Sequence, residues 1–298
     1  MKTIGLVGKG FVGNAVHEGM KHAFDVRWFD IAYTSPQSRQ QCSTLEELVK
    51  SIDGPIFICL PTPMNADGSC DTSIVENTVS KINDVVEECN YDKRVPRGTP
   101  GPVLIIKSTV VPGTTEILNF RYEYVQCVFN PEFLRENTSV EDFKNQDHII
   151  IGGPHKAVGA VKKMYQVAYP GVSTTKTSST IAETIKYFTN CFLAVKLSFA
   201  NEIYQICTKL SIDYDKVVEY ATIDKRLGTS HWAVPGWDGK MGWGHKCFPK
   251  DLNALIALAH KLRVHPTVME AAWKKNLELR PEKDWEKIKD VLKEKNEK

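Results

Sequence analysis

Short apolar runs alternate with helical stretches through the first half of the chain. The runs that predict strands are Lys2–Gly8, Asp25–Asp30, Pro55–Leu60, Val103–Lys107, Tyr124–Phe129 and His148–Ile151. The third and fourth are continuously apolar, which is typical of central parallel strands covered on both faces. Helices are predicted at Phe11–His22 and Ser73–Cys89, and another is predicted to start after Thr44, with Glu47 three residues on. This alternation, which continues to about residue 176, predicts a Rossmann-like, doubly wound α/β domain with a mostly parallel sheet.

The second half of the chain has a helical pattern without strand-like runs. A long helix that contains no proline or glycine is predicted from about Ser178 to Ser211. Further helices are predicted at Asp215–Ala221, Pro249–Leu262, Thr267–Leu279 and Trp285–Lys298, the last as a charged amphipathic tail. Residues 226–246 form one long irregular stretch rich in Gly and Trp, and such long loops are usually functional or disordered. We therefore predict two domains, residues 1–176 and residues 177–298, the second all-helical and built on the long helix.

The composition is that of an ordinary globular protein. The 298 residues include 38 Lys and Arg against 36 Asp and Glu, a formal net charge of +2. No basic face is concentrated enough to predict a nucleic-acid partner. Lys186 and Lys196 interrupt the apolar part of the long helix, so no membrane span is predicted. The eight cysteines are scattered without a C-x-x-C pair, which predicts reduced thiols in a cytoplasmic protein and no metal site.

A glycine-rich segment directly follows the first predicted strand and opens the first predicted helix. Gly8-Lys9-Gly10-Phe11-Val12-Gly13 fits the pattern G-x-G-x-x-G, and Asp30 ends the second strand at the expected spacing. Glycines at these positions let the backbone approach a pyrophosphate at the helix N-terminus. A carboxylate at Asp30 would bind the adenosine ribose hydroxyls and repel a 2′-phosphate. The segment therefore predicts NAD rather than NADP as the cofactor, while Lys9 could face either the phosphates or solvent.

Five further segments place polar and reactive side chains at strand ends, on the long helix or in the irregular stretch. They are Leu60-Pro61-Thr62-Pro63, followed by Asp67–Asp71; Lys107–Thr114 (KSTVVPGT); Asn130–Glu136 (NPEFLRE); Lys186–Asn190 (KYFTN); and Gly242–Asp251 (GWGHKCFPKD). Ligands of open α/β sheets bind beyond the carboxyl ends of the strands. In the last segment, His245, Lys246 and Lys250 surround Cys247 and favour its thiolate, as does the helix start predicted at Pro249.

Together these segments resemble the UDP-glucose/GDP-mannose dehydrogenase family, in the family's order, from Met1 to about Leu262. The NPEFLRE and GxGxxCxxKD segments are the most specific parts of the resemblance. The resemblance implies a four-electron oxidation of a nucleotide-sugar C6 alcohol to a carboxylate, with two NAD reduced. UDP-glucose is the default substrate. Attack by Cys247 on the intermediate aldehyde would give a thiohemiacetal, whose oxidation yields a thioester that water cleaves.

The resemblance also implies roles for individual residues. Lys186 and Asn190, one helical turn apart, would hold the developing oxyanion or an ordered water, and Asp251 would assist proton transfer. Glu136 and Thr109 would position the water and the nicotinamide, and Thr62 and Lys250 match positions that contact the cofactor. The sugar pocket would be lined by Glu132, Phe133, Leu134, Arg135, Glu136 and Gly244.

The chain departs from the family at three points. It has His245 where the family usually has glycine, which changes the wall beside the thiol. No residue after Asp30 matches the family's common lysine near the ribose. Typical members also carry a second α/β domain that grips the nucleotide, so the chain is expected to be either a short natural form without that domain or a truncated one. Arg226, Lys240 and Arg280 are then candidates for binding the phosphates.

Several alternatives stay open at this point. The same chemistry could act on GDP-mannose or a UDP-N-acetylhexosamine. A two-electron hydroxyacid-type dehydrogenase shares the general plan, although such an enzyme needs no nucleophilic cysteine, and a non-catalytic nucleotide-sugar or NAD binding module is the third possibility. The long apolar-faced helix at Ile181–Leu210 has more surface than one small domain would cover, which predicts a homodimer.

Overall fold

The computed structural model describes residues 1–34, 38–91 and 101–293. The chain divides into two compact units. The first unit comprises Met1–Thr62 and Thr72–Lys186, and the second comprises Pro63–Asp71 and Tyr187–Lys298. The division falls within one long helix rather than between residues 176 and 177, and the two predicted domains with those bounds stay a prediction.

The first unit is built on a seven-stranded sheet. Its strands are β1 Thr3–Val7, β2 Asp25–Phe29, β3 Ile56–Ile58, β4 Val103–Ile106, β5 Gln126–Phe129, β6 His148–Gly152 and β7 Ser173–Thr177. They lie in the order β2-β1-β3-β4-β5-β6-β7, and every neighbouring pair is parallel except β5 with β6. The chain moves outward from β1 to β2 and returns past β1 to β3. The carboxyl ends of β1 and β3 therefore form the topological switch point at which such sheets bind ligands, and the predicted Rossmann-like fold is confirmed.

Helices cover both faces of this sheet. They are α1 Phe11–Met20, α2 Leu45–Ser51, α3 Ser73–Tyr91, α4 Thr114–Arg121, α5 Ser139–Lys144 and α6 His155–Ala168. Side chains of a strand alternate between faces, so Phe57 packs with residues of α1 and α6 while Ile56 and Ile58 pack with α2 and α3. This two-sided burial explains why β3 and β4 are continuously apolar. The predicted cap of α2 is confirmed, because the Thr44 Oγ1 accepts the Glu47 N–H at 3.0 Å.

The second unit is helical. It contains most of α7 Ser179–Leu210, together with α8 Tyr214–Ala221, α9 Phe248–Lys261 and α10 Thr267–Leu279. The 32-residue α7 confirms the predicted long helix to within one residue at each end. Between α8 and α9 the chain is irregular apart from a short 3₁₀ helix at Lys225–Leu227, as predicted. No helix among the described residues combines the length and the apolar character needed to cross a membrane.

Two predictions of secondary structure need correction. The strand β7 was not predicted, because Ser173-Thr174-Thr175-Lys176-Thr177 has no apolar residue and lies at the sheet edge, where its side chains stay largely exposed. The tail helix at Trp285–Lys298 is wrong over its described part. The chain forms a 3₁₀ helix at Asp284–Lys287 and then turns, burying Trp285 and Val291. Residues 294–298 of that prediction lie outside the described residues.

Pairing with a distant segment replaces the predicted tail helix. The Met64 N–H donates to the Val291 carbonyl at 2.8 Å, and the Lys293 N–H donates to the Met64 carbonyl at 2.9 Å. Lys293 also forms an ion pair with Asp71 at 2.8 Å. These partners lie more than 200 residues away in the sequence, so the local charge pattern of the tail could not reveal them.

Candidate active site

The glycine-rich turn between β1 and α1 leaves no room for side chains at two of its three glycines. Gly8 has φ +88°, and a Cβ there would lie 2.3 Å from the Cys59 carbonyl oxygen. A Cβ at Gly13 would lie 1.9 Å from the Gly8 carbonyl oxygen. Gly10, the N-cap of α1, is different, since a Cβ there would meet nothing within 4 Å. The fold itself therefore does not require glycine at position 10, whereas close approach of a ligand does.

Asp30 is tied to this turn by hydrogen bonds. Its Oδ2 accepts the Lys9 N–H at 2.6 Å, and its Oδ1 accepts the Ala32 N–H at 2.8 Å. A carboxylate so oriented retains acceptor capacity for ribose hydroxyls. The Lys9 ammonium lies 5.5 Å from the Trp28 ring centroid and donates to Asn14 Oδ1 at 3.3 Å. Burial lowers the pKa of Lys9, against an opposing effect of Glu18.

These features fit a dinucleotide at the switch point. The N-terminus of α1 has no acidic residue in its first turn, so its dipole and its backbone N–H groups favour an anion such as a pyrophosphate. Open space at Gly10 leaves room for a ligand to approach, and the Asp30 carboxylate retains acceptor capacity. Thr62 and Thr109 lie beyond the ends of the neighbouring strands β3 and β4, where the Thr62 hydroxyl donates to the Thr109 carbonyl at 2.7 Å.

Alanine at Gly10 and at Gly13 should have different effects. Gly10→Ala should leave the fold stable and weaken NAD binding about tenfold, because the methyl group lies only where the ligand approaches. Gly13→Ala should lower the free energy of unfolding by about 1–3 kcal/mol, since the methyl group meets backbone. Chemical denaturation and calorimetric titration with NAD measure the two effects. Gly159→Ala is the control, because a Cβ on that α6 residue also meets nothing within 4 Å. Undiminished NAD binding by Gly10→Ala would contradict the assignment.

A buried ion pair follows β5 in the first unit. The Lys186 ammonium donates to Glu132 Oε1 and to the Glu132 carbonyl, both at 2.7 Å, and the two side chains are only 4% and 7% exposed. The other carboxylate oxygen of Glu132 accepts the Leu134 N–H at 2.8 Å. The Phe133 ring lies 5.7 Å from the ammonium. Lys186 is therefore not a solvated surface lysine but half of a buried charge pair.

A second buried lysine, Lys107, supports the same segment. Its ammonium donates to Asn130 Oδ1 at 3.0 Å and to the Asn130 carbonyl at 3.3 Å. The Tyr165 hydroxyl donates to the same Oδ1 at 2.6 Å. Burial lowers the pKa of Lys107 to about 8, although Cys59 and Glu132 act in the opposite direction. No role for Lys107 was predicted from the sequence, yet a lysine that directly follows a central apolar strand could have signalled one.

The remaining residues of the NPEFLRE segment are more exposed. Leu134 packs against the core of the first unit, while Phe133 is partly exposed. Arg135 is engaged by Asp142, with a guanidinium–carboxylate distance of 2.6 Å. Glu136 begins a short 3₁₀ helix on the surface. The NPEFLRE segment thus has one buried carboxylate, that of Glu132, and a side that faces solvent. A segment that follows a strand and lines a ligand pocket needs such an accessible side.

Cys247 is the N-cap of α9 in the second unit. The Asp251 N–H donates to its carbonyl at 2.9 Å, and Pro249 lies in the first turn. The Asp251 carboxylate is fully buried, with Oδ1 accepting from the Lys250 ammonium at 2.5 Å and Oδ2 accepting from the Asn190 amide at 2.6 Å. Burial would lower the pKa of Lys250, but Asp251, Cys70 and Cys247 outweigh it and raise that pKa. The structure therefore joins the predicted residues Lys250, Asp251 and Asn190 by side-chain hydrogen bonds in the first turn of the helix that Cys247 caps.

The basic residues suggested for phosphate binding all have carboxylate partners. Arg226 is highly exposed and pairs with Asp224 at 2.5 Å, and Lys240 pairs with Glu282 at 2.9 Å. Arg280 is buried and pairs with Asp238 and Asp284. Arg226 and Lys240 are exposed and would have to exchange these partners to bind a phosphate. Arg280 differs from both because it is only 2% exposed and is held by two carboxylates.

Gly244 and His245 directly precede Lys246 and Cys247 in the sequence. His245 adopts the left-handed backbone conformation, with φ +62°. Its ring stacks on Trp237, with centroids 4.7 Å apart, and its Nε2 lies 3.4 Å from Asp238 Oδ2. A Cβ at Gly244 would lie 2.4 Å from Asp284 Oδ1. The glycine at position 244 is thus required by packing within the second unit.

The sheet and its glycine turn define a dinucleotide-binding protein. Residues 36–169 match the NAD-binding domain of the UDP-glucose/GDP-mannose dehydrogenase family, and residues 180–278 match the central domain of that family. The chain belongs to the UDP-glucose/GDP-mannose dehydrogenase family, and its cofactor is NAD.

Individual proteins extend this comparison. UDP-glucose 6-dehydrogenase AglM of Haloferax volcanii is 32% identical over 232 residues, which are 72% of this chain and 50% of that protein. The chain spans about half the length of the curated relatives it matches. The structure of a UDP-glucose dehydrogenase from Pyrobaculum islandicum is similar with a TM-score of 0.79 and 28% identity, over 93% of this chain and 68% of that chain. A 3-hydroxyisobutyrate dehydrogenase of Mycobacterium tuberculosis shares the fold, with a TM-score of 0.73 and 16% identity over 95% of each chain.

Proposed function

We propose that this protein is an NAD-dependent nucleotide-sugar 6-dehydrogenase that oxidises a C6 alcohol to a carboxylate through a covalent adduct of Cys247. UDP-glucose, converted to UDP-glucuronate, is the default substrate, in keeping with the names of the relatives. The observation that carries the proposal is the cluster of Cys247, Lys250, Asp251 and Asn190. A two-electron alcohol oxidation needs no thiol, whereas a covalent adduct needs one, together with groups such as Lys250 and Asp251 that favour the thiolate and move protons.

The proposed reaction uses the thiol in its second half. The alcohol first loses two electrons and two protons to become an aldehyde. The Cys247 sulfur then adds to the aldehyde carbon to form a thiohemiacetal, and loss of two more electrons and two protons gives a thioester. Water cleaves the thioester, which releases the carboxylate and returns the thiol. Bound NAD supplies the oxidising power, and two molecules are reduced for each sugar.

The residues around Cys247 support each step electrostatically. The Lys250 ammonium favours the thiolate, which is the nucleophilic form. Asp251, held by Lys250 and Asn190 through separate oxygens, is oriented to take a proton from the attacking water. Lys186 and Asn190 would stabilise the oxyanion that develops on the adduct.

The first unit would bind the cofactor and line the sugar pocket. Thr62, Thr109 and Glu136 would contact NAD or an ordered water, and Lys250 of the second unit would do the same. The segment Glu132–Glu136 would line the sugar pocket, as would Gly244. Arg226 and Lys240 remain candidates for the phosphates once their carboxylate partners are exchanged.

The test of the function is the yield of NADH at limiting sugar. With NAD in excess, we expect two NADH per UDP-glucose, together with one UDP-glucuronate identified by mass spectrometry. One NADH per sugar, with an aldehyde or ketone as product, would replace the proposal by a two-electron dehydrogenase. Parallel reactions with GDP-mannose and UDP-N-acetylhexosamines identify the sugar nucleotide. NAD binding without turnover of any of these substrates would indicate a binding module.

We also propose that the protein forms a homodimer through α7. Exposed apolar side chains of the second unit recur along this helix at intervals of four and seven residues, which keeps them on one face of a helix with about 3.6 residues per turn. They are Phe188, Phe192, Phe199, Ile206 and Leu210. The Phe188 and Phe192 rings stack on each other, with centroids 6.4 Å apart. A second copy presenting the same face would bury this surface.

The double variant F192E/F199E should therefore be a monomer. Burying glutamates in an apolar seam is unfavourable because each carboxylate loses its hydration. Analytical ultracentrifugation of the wild type should give twice the chain mass of 33.6 kDa, and of the variant once that mass. V167E, which changes an exposed valine on α6, should stay dimeric. A wild-type protein that sediments at 33.6 kDa excludes the dimer.

A further inference from the structure

The backbone just before the thiol is held by side chains from distant parts of the second unit. We call residues 241–247 the thiol loop. Asn276 makes two hydrogen bonds to one residue of this loop. Its Oδ1 accepts the Trp243 N–H at 2.7 Å, and its Nδ2 donates to the Trp243 carbonyl at 2.8 Å. Two other N–H groups of the loop also have side-chain acceptors, since Gly242 donates to Asn201 Oδ1 at 2.9 Å and His245 donates to Asp284 Oδ2 at 3.3 Å.

Arg280 binds Asp284, one of these side-chain acceptors, and also contacts the loop backbone. Its Nε donates to Asp284 Oδ1 at 2.6 Å, and another guanidinium nitrogen donates to Asp238 Oδ2. A weaker bond reaches the Met241 carbonyl at 3.4 Å. Burial alone would raise the pKa of Asp284, but Arg280 outweighs it and lowers that pKa. The ionised carboxylates and the buried guanidinium, 2% exposed, thus form a fixed frame beside the loop.

The glycines of the thiol loop show how closely this frame approaches. A Cβ at Gly242 would lie 2.5 Å from Asn276 Oδ1. A Cβ at Gly244 would lie 2.4 Å from Asp284 Oδ1 and 2.7 Å from Arg280 Nε. Because no side chain fits between loop and frame, the loop cannot shift toward the frame. The hydrogen bonds to the backbone of Gly242, Trp243 and His245 oppose a shift away from it.

We propose that Asn276, Arg280 and Asp284 are positioning residues that fix the thiol loop and thereby hold Cys247 beside Lys250. These residues bond to the backbone of Met241, Trp243 and His245, or to one another, and so act on the thiol only through the loop. Only Lys246 separates the last anchored N–H, that of His245, from Cys247, the N-cap of α9. Release of the loop therefore moves the sulfur away from the ammonium and lowers the thiolate fraction. The kinetic consequence rests on the proposed function, whereas the effect on the thiol itself does not.

Asn276→Asp is the most informative variant. It has the same shape and keeps the acceptor for the Trp243 N–H, but it turns the donor that faces the Trp243 carbonyl into a second acceptor. We expect the rate of Cys247 alkylation by iodoacetamide at pH 7 to fall three- to tenfold, with the midpoint of its pH profile shifted upward. Cys247→Ser supplies the background from the other cysteines. In turnover, kcat should fall about tenfold or more while the KM for NAD stays within about twofold.

Asn119→Asp is the matched control in the first unit. Asn119 makes the same pair of bonds to one residue, with Oδ1 accepting the Cys127 N–H at 2.8 Å and Nδ2 donating to the Cys127 carbonyl at 2.9 Å. The variant Asn119→Asp should lower the melting temperature of the protein without changing the alkylation rate of Cys247. An unchanged alkylation profile in Asn276→Asp, or an equal change in both variants, overturns the proposal.

A second variant guards against misfolding. If Asn276→Asp does not fold, Arg280→Lys keeps the charge but cannot span Asp238, Asp284 and the Met241 carbonyl together. It is judged by the same alkylation profile and the same criteria. Alkylation needs no substrate, so a failure of the proposed function can be distinguished from a failure of the positioning role. A wild type without NADH formation, whose thiol still responds to Asn276→Asp, overturns the function and leaves the positioning role intact.

Discussion

Cys247→Ser is expected to abolish formation of the sugar carboxylate while NAD binding is unchanged. Serine has a hydroxyl in place of the thiol, which does not ionise at neutral pH and is a much weaker nucleophile toward the aldehyde than a thiolate. We expect the rate of uronate formation to fall by about 10³-fold or more. NADH yield and product mass should be measured together, since any residual oxidation stops at the aldehyde and yields at most one NADH per sugar.

Cys89→Ser is the control for Cys247→Ser. Cys89 is a partly exposed thiol on α3 of the first unit, and its substitution should change turnover by less than about twofold. Calorimetric titration should give the same NAD affinity for both variants and the wild type. Two NADH per sugar from Cys247→Ser would refute the covalent mechanism and with it the role assigned to the Lys250–Asp251 pair.

Lys186→Met should be strongly destabilising as well as inactive. The Lys186–Glu132 pair is almost completely buried, and removal of the cation leaves the Glu132 carboxylate without its counter-charge. Breaking such a pair typically costs about 3–5 kcal/mol in the free energy of unfolding. Urea denaturation measures this loss. The double variant K186M/E132Q should recover most of the stability, because it removes both charges, yet remain inactive.

Lys196→Met provides a comparison on the same helix. The Lys196 ammonium is bound only by the Leu227 carbonyl, at 2.9 Å, and by the face of Trp232, 4.3 Å from the ring centroid, among the contacts described. Its loss leaves no buried carboxylate and should cost about 1 kcal/mol. An equal loss of stability from Lys186→Met and Lys196→Met would show that the buried pair with Glu132 is not what makes Lys186 important.

Local sequence signals sufficed for the elements whose causes are local. The cap Thr44 with Glu47 and the turn Gly8–Gly13 depend on residues within a few positions of one another. The same holds for Cys247 at the start of a helix with Asp251 one turn on. Apolar continuity likewise located β3 and β4, because both faces of a central strand are covered whichever helices cover them.

Partner identity was the part that local signals could not supply. Lys107 and Asn130, or Lys186 and Glu132, could each be seen as polar residues in motifs, but not as bonded pairs. The polar strand β7 is held by its backbone register with β6, which its side chains do not reveal. The three basic residues proposed to bind phosphates looked alike in sequence. In the structure Arg280 is buried beside the thiol loop, whereas Arg226 faces solvent in an ion pair with Asp224.

The sequence by itself determined the class of fold, the glycine turn for NAD and the candidate thiol, because these follow from periodicity and from spacings of a few residues. Only the tertiary structure decided what surrounds the thiol. Asn276, Arg280 and Asp284 lie 29 to 37 residues beyond Cys247, and they reach its loop because α10 and the turn after it fold back within the second unit. Contacts of that kind depend on side-chain geometry in three dimensions, which no local pattern of charge or hydropathy encodes.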